Sequence, residues 1–204
     1  MEKTRILLVE GKDDEHVIKA LCQKHEIPET FEIISCEGIE NLFESLPVRL
    51  KTSGIEAIGV IMDADEDINR LWNRMKSLFS NLGFTIPNRF PDTGLILHNN
   101  GQKVGVWIMP DNKANGMLED FISFLIPEHD QLLSIVDSTL NDIEAKQLNK
   151  YATIHKSKAR IHSWLAWQKD PGTPLGLSIT KNFLTTEKDI CRIFVEWLIK
   201  LFIT

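Results

Sequence analysis

The sequence predicts an α/β protein: a mostly parallel sheet of about four strands with helices on both faces, followed by a helical C-terminal extension. Short apolar runs alternate with amphipathic stretches three times between residues 5 and 82. Each run ends in charge or turn-forming residues, as buried strands do. Past residue 127 or so, helical periodicity continues without strand signals.

The elements follow in order. RILLVE (5–10) is an apolar run bounded by charge. Gly11 and the acids Asp13 and Asp14 suit a turn into a helix N-terminus, where carboxylates are favourable. Val17, Ile18, Leu21 and Cys22 then share one face of a helix over 14–25. FEIISC (31–36) is a second strand, and 38–51 a second helix with Leu42, Phe43, Leu46 and Leu50 inward. AIGVIMD (57–63) is a third strand, followed by a helix over 68–82. Such alternation implies parallel strands with right-handed crossovers. Asn100-Gly101 between the apolar runs 94–98 and 104–109 signals a hairpin. A helix opens near Gly116. Further helices are expected at 128–136, 139–150, 156–168 and 186–202, with a turn-rich connector, KDPGTPLGLSITKNF, before the last. The domain reading is an α/β unit over 1–126 with an extension over 127–204 packed on it.

Composition narrows the class. At 204 residues, 43% hydrophobic and 25% charged, the chain can bury a core and is not broadly disordered. No apolar run reaches the ~18 residues of a membrane span, and the N-terminal stretch predicts no secretory leader. Cys22, Cys36 and Cys191 are scattered and odd in number, so neither a zinc knuckle nor a disulfide framework is expected. A reduced, cytoplasmic setting follows. A net charge of −6 argues against coating nucleic acid by bulk charge.

The acids carry the functional signal. Glu10 closes the first strand, Asp63 and Asp65 close the third, and Glu119 lies at the start of a helix after VGVWIMP. Ligand sites of open α/β sheets lie beyond the carboxyl ends of strands, where strand order switches. If the first and third strands are neighbours, Glu10 and Asp63 meet there. Clustered carboxylates stay ionised cheaply only around a cation. Oxygen ligands without His or Cys select Mg²⁺ or Mn²⁺, and Gly11 would let a phosphate approach the backbone. Helix capping is the competing explanation, above all for Asp13, Asp14 and Asp67. Glu119 could be a helix-dipole partner alone.

The motifs VEGKDD (9–14) and apolar-DAD (60–65) resemble the Toprim domain of topoisomerases, DnaG-type primases and OLD-type nucleases. The likeness extends, through a family of small uncharacterised prokaryotic Toprim-like proteins, to 105–121 and 156–179. It implies a Toprim-like, Rossmann-like sheet, with Glu10 and the Asp63/Asp65 pair supporting divalent metal. Topoisomerase and primase versions often place a glycine soon after the Asp-x-Asp; here Glu66, Asp67 and Ile68 follow, which fits the OLD-type branch better. No topoisomerase tyrosine domain or primase zinc module is present; the single tyrosine, Tyr151, lies in the helical tail.

Residues 146–162 reverse the sign of charge, with Lys146, Lys150, Lys156, Lys158 and Arg160 and no acid. The strip could face phosphates, and the OLD-type resemblance, with its downstream lysine, favours Lys158. The alternative is a solvated face or ion pairs with the acids between 128 and 142. Trp164, Trp167 and Trp197 are expected in core or interface rather than stacking on bases. His98, His155 and His162 have no ligand spacing. The functional expectation is a Mg²⁺- or Mn²⁺-dependent phosphodiester hydrolase, nuclease-like. Glu10, Asp63, Asp65 and Glu119 would take the metal, Glu10 and Lys158 catalytic roles, and Gly11 the phosphate. A non-catalytic Toprim-like module of a repair or defence assembly is the alternative; small-molecule phosphotransfer is a third reading, without a Walker motif. The expected partners are DNA or RNA, with a homodimer left open and no membrane.

Overall fold

The buried run at the N-terminus forms β1 (Thr4–Val9), and the chain then alternates as α1 (Lys12–Lys24), β2 (Glu32–Ser35), α2 (Ile39–Leu50), β3 (Ile55–Asp63) and α3 (Ile68–Asn81). A hairpin, β4 (Leu95–Asn99) and β5 (Gln102–Met109), leads to α4 (Leu118–Phe124) and α5 (Gln131–Ala145). A 3₁₀ turn (Thr153–His155), α6 (Lys156–Ala166), α7 (Leu175–Thr180) and α8 (Asp189–Phe202) complete the chain. This computed structural model describes residues 4–99 and 101–204. Asn100 of the expected Asn100-Gly101 turn lies outside the described residues; Gly101 has φ +79°.

The sheet has five strands in the order β2-β1-β3-β5-β4. All neighbours are parallel except β4 and β5. After β1 the chain crosses to one side to make β2 and returns to the other side to make β3. The switch in strand order therefore falls between β1 and β3, with Val9 opposite Ile61 and, one strand on, Asp63 opposite Met109.

Side chains alternate across the sheet into two cores. Ile6, Leu8, Ile58, Val60 and Met62 pack with α2 and α3. Leu7, Val9, Ile61 and Trp107 face the other way, into one core with α1 and α4 to α8. The C-terminal helices thus cover a face of the sheet. Gly59 and Gly105, register partners on β3 and β5, make this close packing feasible. A Cβ at Gly59 would come within 2.7 Å of Leu7, and one at Gly105 within 2.5 Å of Leu201 on α8. α7 likewise crosses α1 through Gly176, where a Cβ would stand 2.6 Å from the His16 carbonyl oxygen.

Several expectations change. Five strands replace about four, because the first arm of the hairpin adds an antiparallel edge. The helices expected at 128–136 and 139–150 are one, α5, whose buried Val136 and Leu140 lie on the same face. The turn-rich connector contains α7, held by burial of Leu175 and Ile179 rather than by helical propensity. Among the described residues no helix is long and apolar enough to cross a membrane.

Candidate functional site

Because β1 and β3 are neighbours, their carboxyl ends deliver Glu10 and Asp63 to one edge. The Glu10 carboxylate accepts the Asp63 backbone N–H at 3.4 Å. Asp63 Oδ1 accepts the N–H of Leu118, the first residue of α4, at 2.9 Å. This bond brings Glu119 to the same rim, where it is buried.

Asp65 sits two residues past the strand with φ +50°, in the left-handed region that aspartate tolerates better than most residues. A pair of backbone hydrogen bonds, each 2.8 Å, joins it to Gly116. Gly116 needs to be glycine: its φ is +141°, and a Cβ would press within 2.7 Å of Asp120.

A fifth carboxylate, Asp14, joins them. It is only 6% exposed. One oxygen accepts the Gly11 N–H at 3.0 Å, which caps α1. The other, Oδ1, is buried with no hydrogen-bond partner. Such an orphaned acceptor is costly unless something else satisfies it. From sequence alone, an acid in the first turn of a helix is expected to be a cap. The signal was in the spacing, since Asp14, Val17, Ile18 and Leu21 form one buried helical stripe.

The acids perturb one another. Burial, then the charges of Asp14, Glu10, Glu119 and Asp65, hold the Asp63 carboxyl well above its ordinary range. Burial pushes Asp14 up to about 7, helped by Glu10 and Glu119 and opposed by the Gly11 N–H. Glu10 is raised mainly by burial and also by Asp65, against the Asp63 N–H and Lys158. Asp65 is raised by burial and Glu66, while Lys158 and His155 pull it down.

Lys158 on α6 is the one expected cation that reaches the cluster. Its Nζ lies 3.6 Å from Glu119 Oε1, and its side chain is 49% exposed. One ammonium leaves most of the negative charge of five carboxylates unbalanced. Among the described residues, no three His, Cys, Asp or Glu side chains converge on a single point as metal ligands would.

The other candidates sort themselves. Gly11 is not a free phosphate cradle, because Asp14 holds its N–H; its φ of −133° demands no glycine. Asp67 is a cap, accepting the N–H groups of Asn69 and Arg70 at 3.0 Å. The remaining basic strip mostly pairs with α5: Arg160 with Asp137, Lys156 with Glu144, and Lys146 with Asp142. Trp164 and Trp197 are core residues, whereas Trp167 is 47% exposed. His98, His155 and His162 are exposed.

Fold and site together define a mostly parallel α/β protein with an acidic cluster at its switch point. The chain belongs to a family described as proteins of unknown function, DUF3226, whose model matches residues 4–203. A hypothetical protein from Pyrococcus horikoshii OT3, known from a crystal structure, is similar at 17% identity over 98% of this chain and 95% of its own, with a TM-score of 0.55. At that identity the likeness speaks for the fold alone. No curated protein matches the chain.

Proposed function

We propose that this protein is a Toprim-like phosphodiester hydrolase that depends on Mg²⁺ or Mn²⁺ and acts on DNA or RNA. The observation that carries this reading is the meeting of Glu10 and Asp63 across neighbouring strands, beside a buried Asp14 oxygen without a partner. The donor set fits a hard divalent ion: all carboxylate oxygens, no His or Cys. Glu10, Asp63 and Asp65 would hold it, with Glu119 and Asp14 completing the surroundings. When bound, such an ion polarises a phosphate and lowers the pKa of water.

The chain's own groups supply the rest. Glu10, at the end of β1 and beside the Asp63 N–H, stands where a carboxylate could orient the attacking water and take its proton. Lys158, half exposed at the rim, can leave Glu119 and offset charge growing on the phosphate. The Asp63–Leu118 bond fixes the central carboxylate against α4, so its orientation is set before substrate arrives.

The test is incubation of the protein with Mg²⁺ or Mn²⁺ and labelled plasmid, single strands and RNA, beside Asp63→Asn. Metal-dependent cleavage that falls to background in the variant supports the reading. Metal binding without cleavage of any substrate would overturn it in favour of a non-catalytic module of a repair or defence assembly.

A further inference from the structure

Beside α3, on the face of the sheet that α2 and α3 cover, lies a concavity of about 320 Å³ between α3 and the segments 88–92 and 112–113. Its floor is aromatic. Trp72 and Phe90 meet edge to face, with centroids 5.0 Å apart, and both are buried. Its rim is cationic. Lys76 stands over the Trp72 ring at 5.6 Å, while Arg89 and Lys113 share one carboxylate, Asp92, at 3.8 and 3.2 Å. Among the described side chains lining it, three cations face that single acid, a local positive surplus in a chain of net charge −6.

The exposed residues Asn69, Asn73 and Asn88 also line it. None of these side chains makes a hydrogen bond within the described residues, so each offers a free donor and acceptor. The deeper Asn112 is already used: it accepts the Ile108 N–H at 2.8 Å and donates to the Asp92 carbonyl at 3.2 Å. A rigid aromatic floor, unengaged amides and surplus cations match a ligand with a flat polar ring and a phosphate.

We propose that this pocket binds a nucleoside phosphate, the amides meeting the base and Lys76, Arg89 and Lys113 the phosphate. Its preferred source is a nucleotide of the strand being cut, which rests on the hydrolase reading above. Asp65 and Asn69 are four residues apart, so their Cα atoms lie within about 14 Å. That is about four nucleotides of a stacked strand. Asn115 ties the two sites together, accepting the Ile68 N–H at 3.0 Å and donating to the Glu66 carbonyl at 2.5 Å.

The test is fluorescence anisotropy of a labelled single-stranded oligonucleotide in EDTA, for the wild type and for the double variant Arg89→Glu, Lys113→Glu. Both side chains are exposed enough (88% and 54%) for the fold to persist, which a thermal melt checks. Expected are a dissociation constant raised about tenfold or more and a log–log salt slope smaller by about 0.7, the loss of one phosphate contact on a single strand. Binding of a fluorescent mononucleotide that the double variant loses, without oligonucleotide binding, would support the same chemistry with the free nucleotide as its source. Equal binding by wild type and double variant, or no binding of either ligand, overturns the pocket and leaves the hydrolase reading standing. Absence of cleavage in Mg²⁺ would sink the hydrolase reading and leave the EDTA result intact.

Discussion

Two regions of this molecule concentrate charge, and they do it in opposite ways. In the seam between α5 and α6, acid and base are matched: Asp137 with Arg160, and Glu144 with Lys156. The pairs lie near the surface, and Arg160 grips its partner with two nitrogens. At the sheet's switch point, five carboxylates face one lysine, and two of them, Asp14 and Glu119, are buried. Matched charge near water costs little and gives little. Surplus charge of one sign under burial raises the acids' proton affinity and destabilises the apo fold. A bound divalent cation, as proposed above, would relieve both.

The sharpest way to break this contrast is Asp63→Asn. The amide oxygen can still accept the Leu118 N–H, so the fold should persist. Cleavage should fall by more than about 100-fold, since losing even an outer-shell partner of a metal ligand costs about 10- to 100-fold. The same change should raise the metal-free melting temperature, because it removes charge from a repelling cluster. A variant that lowers the melting temperature instead would mean Asp63 is there for stability. Lys158→Ala comes next. Activity should drop about tenfold to a hundredfold with the fold retained, whereas Arg160→Ala should leave turnover unchanged.

The pH dependence of stability sharpens the contrast further. Asp14 is held at about 7 in the folded chain, against an ordinary 3.8. Between those values the folded state holds the extra proton, so Asp14's contribution to stability is full below about pH 4 and is lost as pH rises towards 7. Thermal melts of metal-free protein should show that decline. Asp14→Asn should lessen it, leaving the part that Asp63, Glu10 and Asp65 carry, and saturating Mn²⁺ should offset it by mass action. The smallest effect belongs to the seam: Glu144→Gln should barely move the midpoint of a denaturant titration, and less still in high salt.

Much of this was legible in the chain. Glu10, Asp63 and Asp65 could be read as strand-end acids because RILLVE and AIGVIMD are near-continuous apolar runs. That β1 and β3 lie side by side could not, since chain order does not fix strand order; β2 goes to the far side. Asp14 was hidden because an acid in a first helical turn is ordinarily a cap, and here it is a cap and a buried rim residue at once. The α7 helix was obscured by Pro171, Gly172, Pro174 and Gly176, and only packing on α1 reveals that Gly176 marks a close crossing. The basic strip looked uniform, yet its neighbours in space divide it: Arg160 and Lys156 meet α5, and Lys158 meets Glu119.

The most direct measurement is anomalous scattering from a crystal soaked in Mn²⁺. A peak touching the carboxylates of Glu10 and Asp63, with the side chains drawn together from their splayed positions, is the predicted result. A soaked crystal with no peak there, and Lys158 still paired with Glu119, would contradict it.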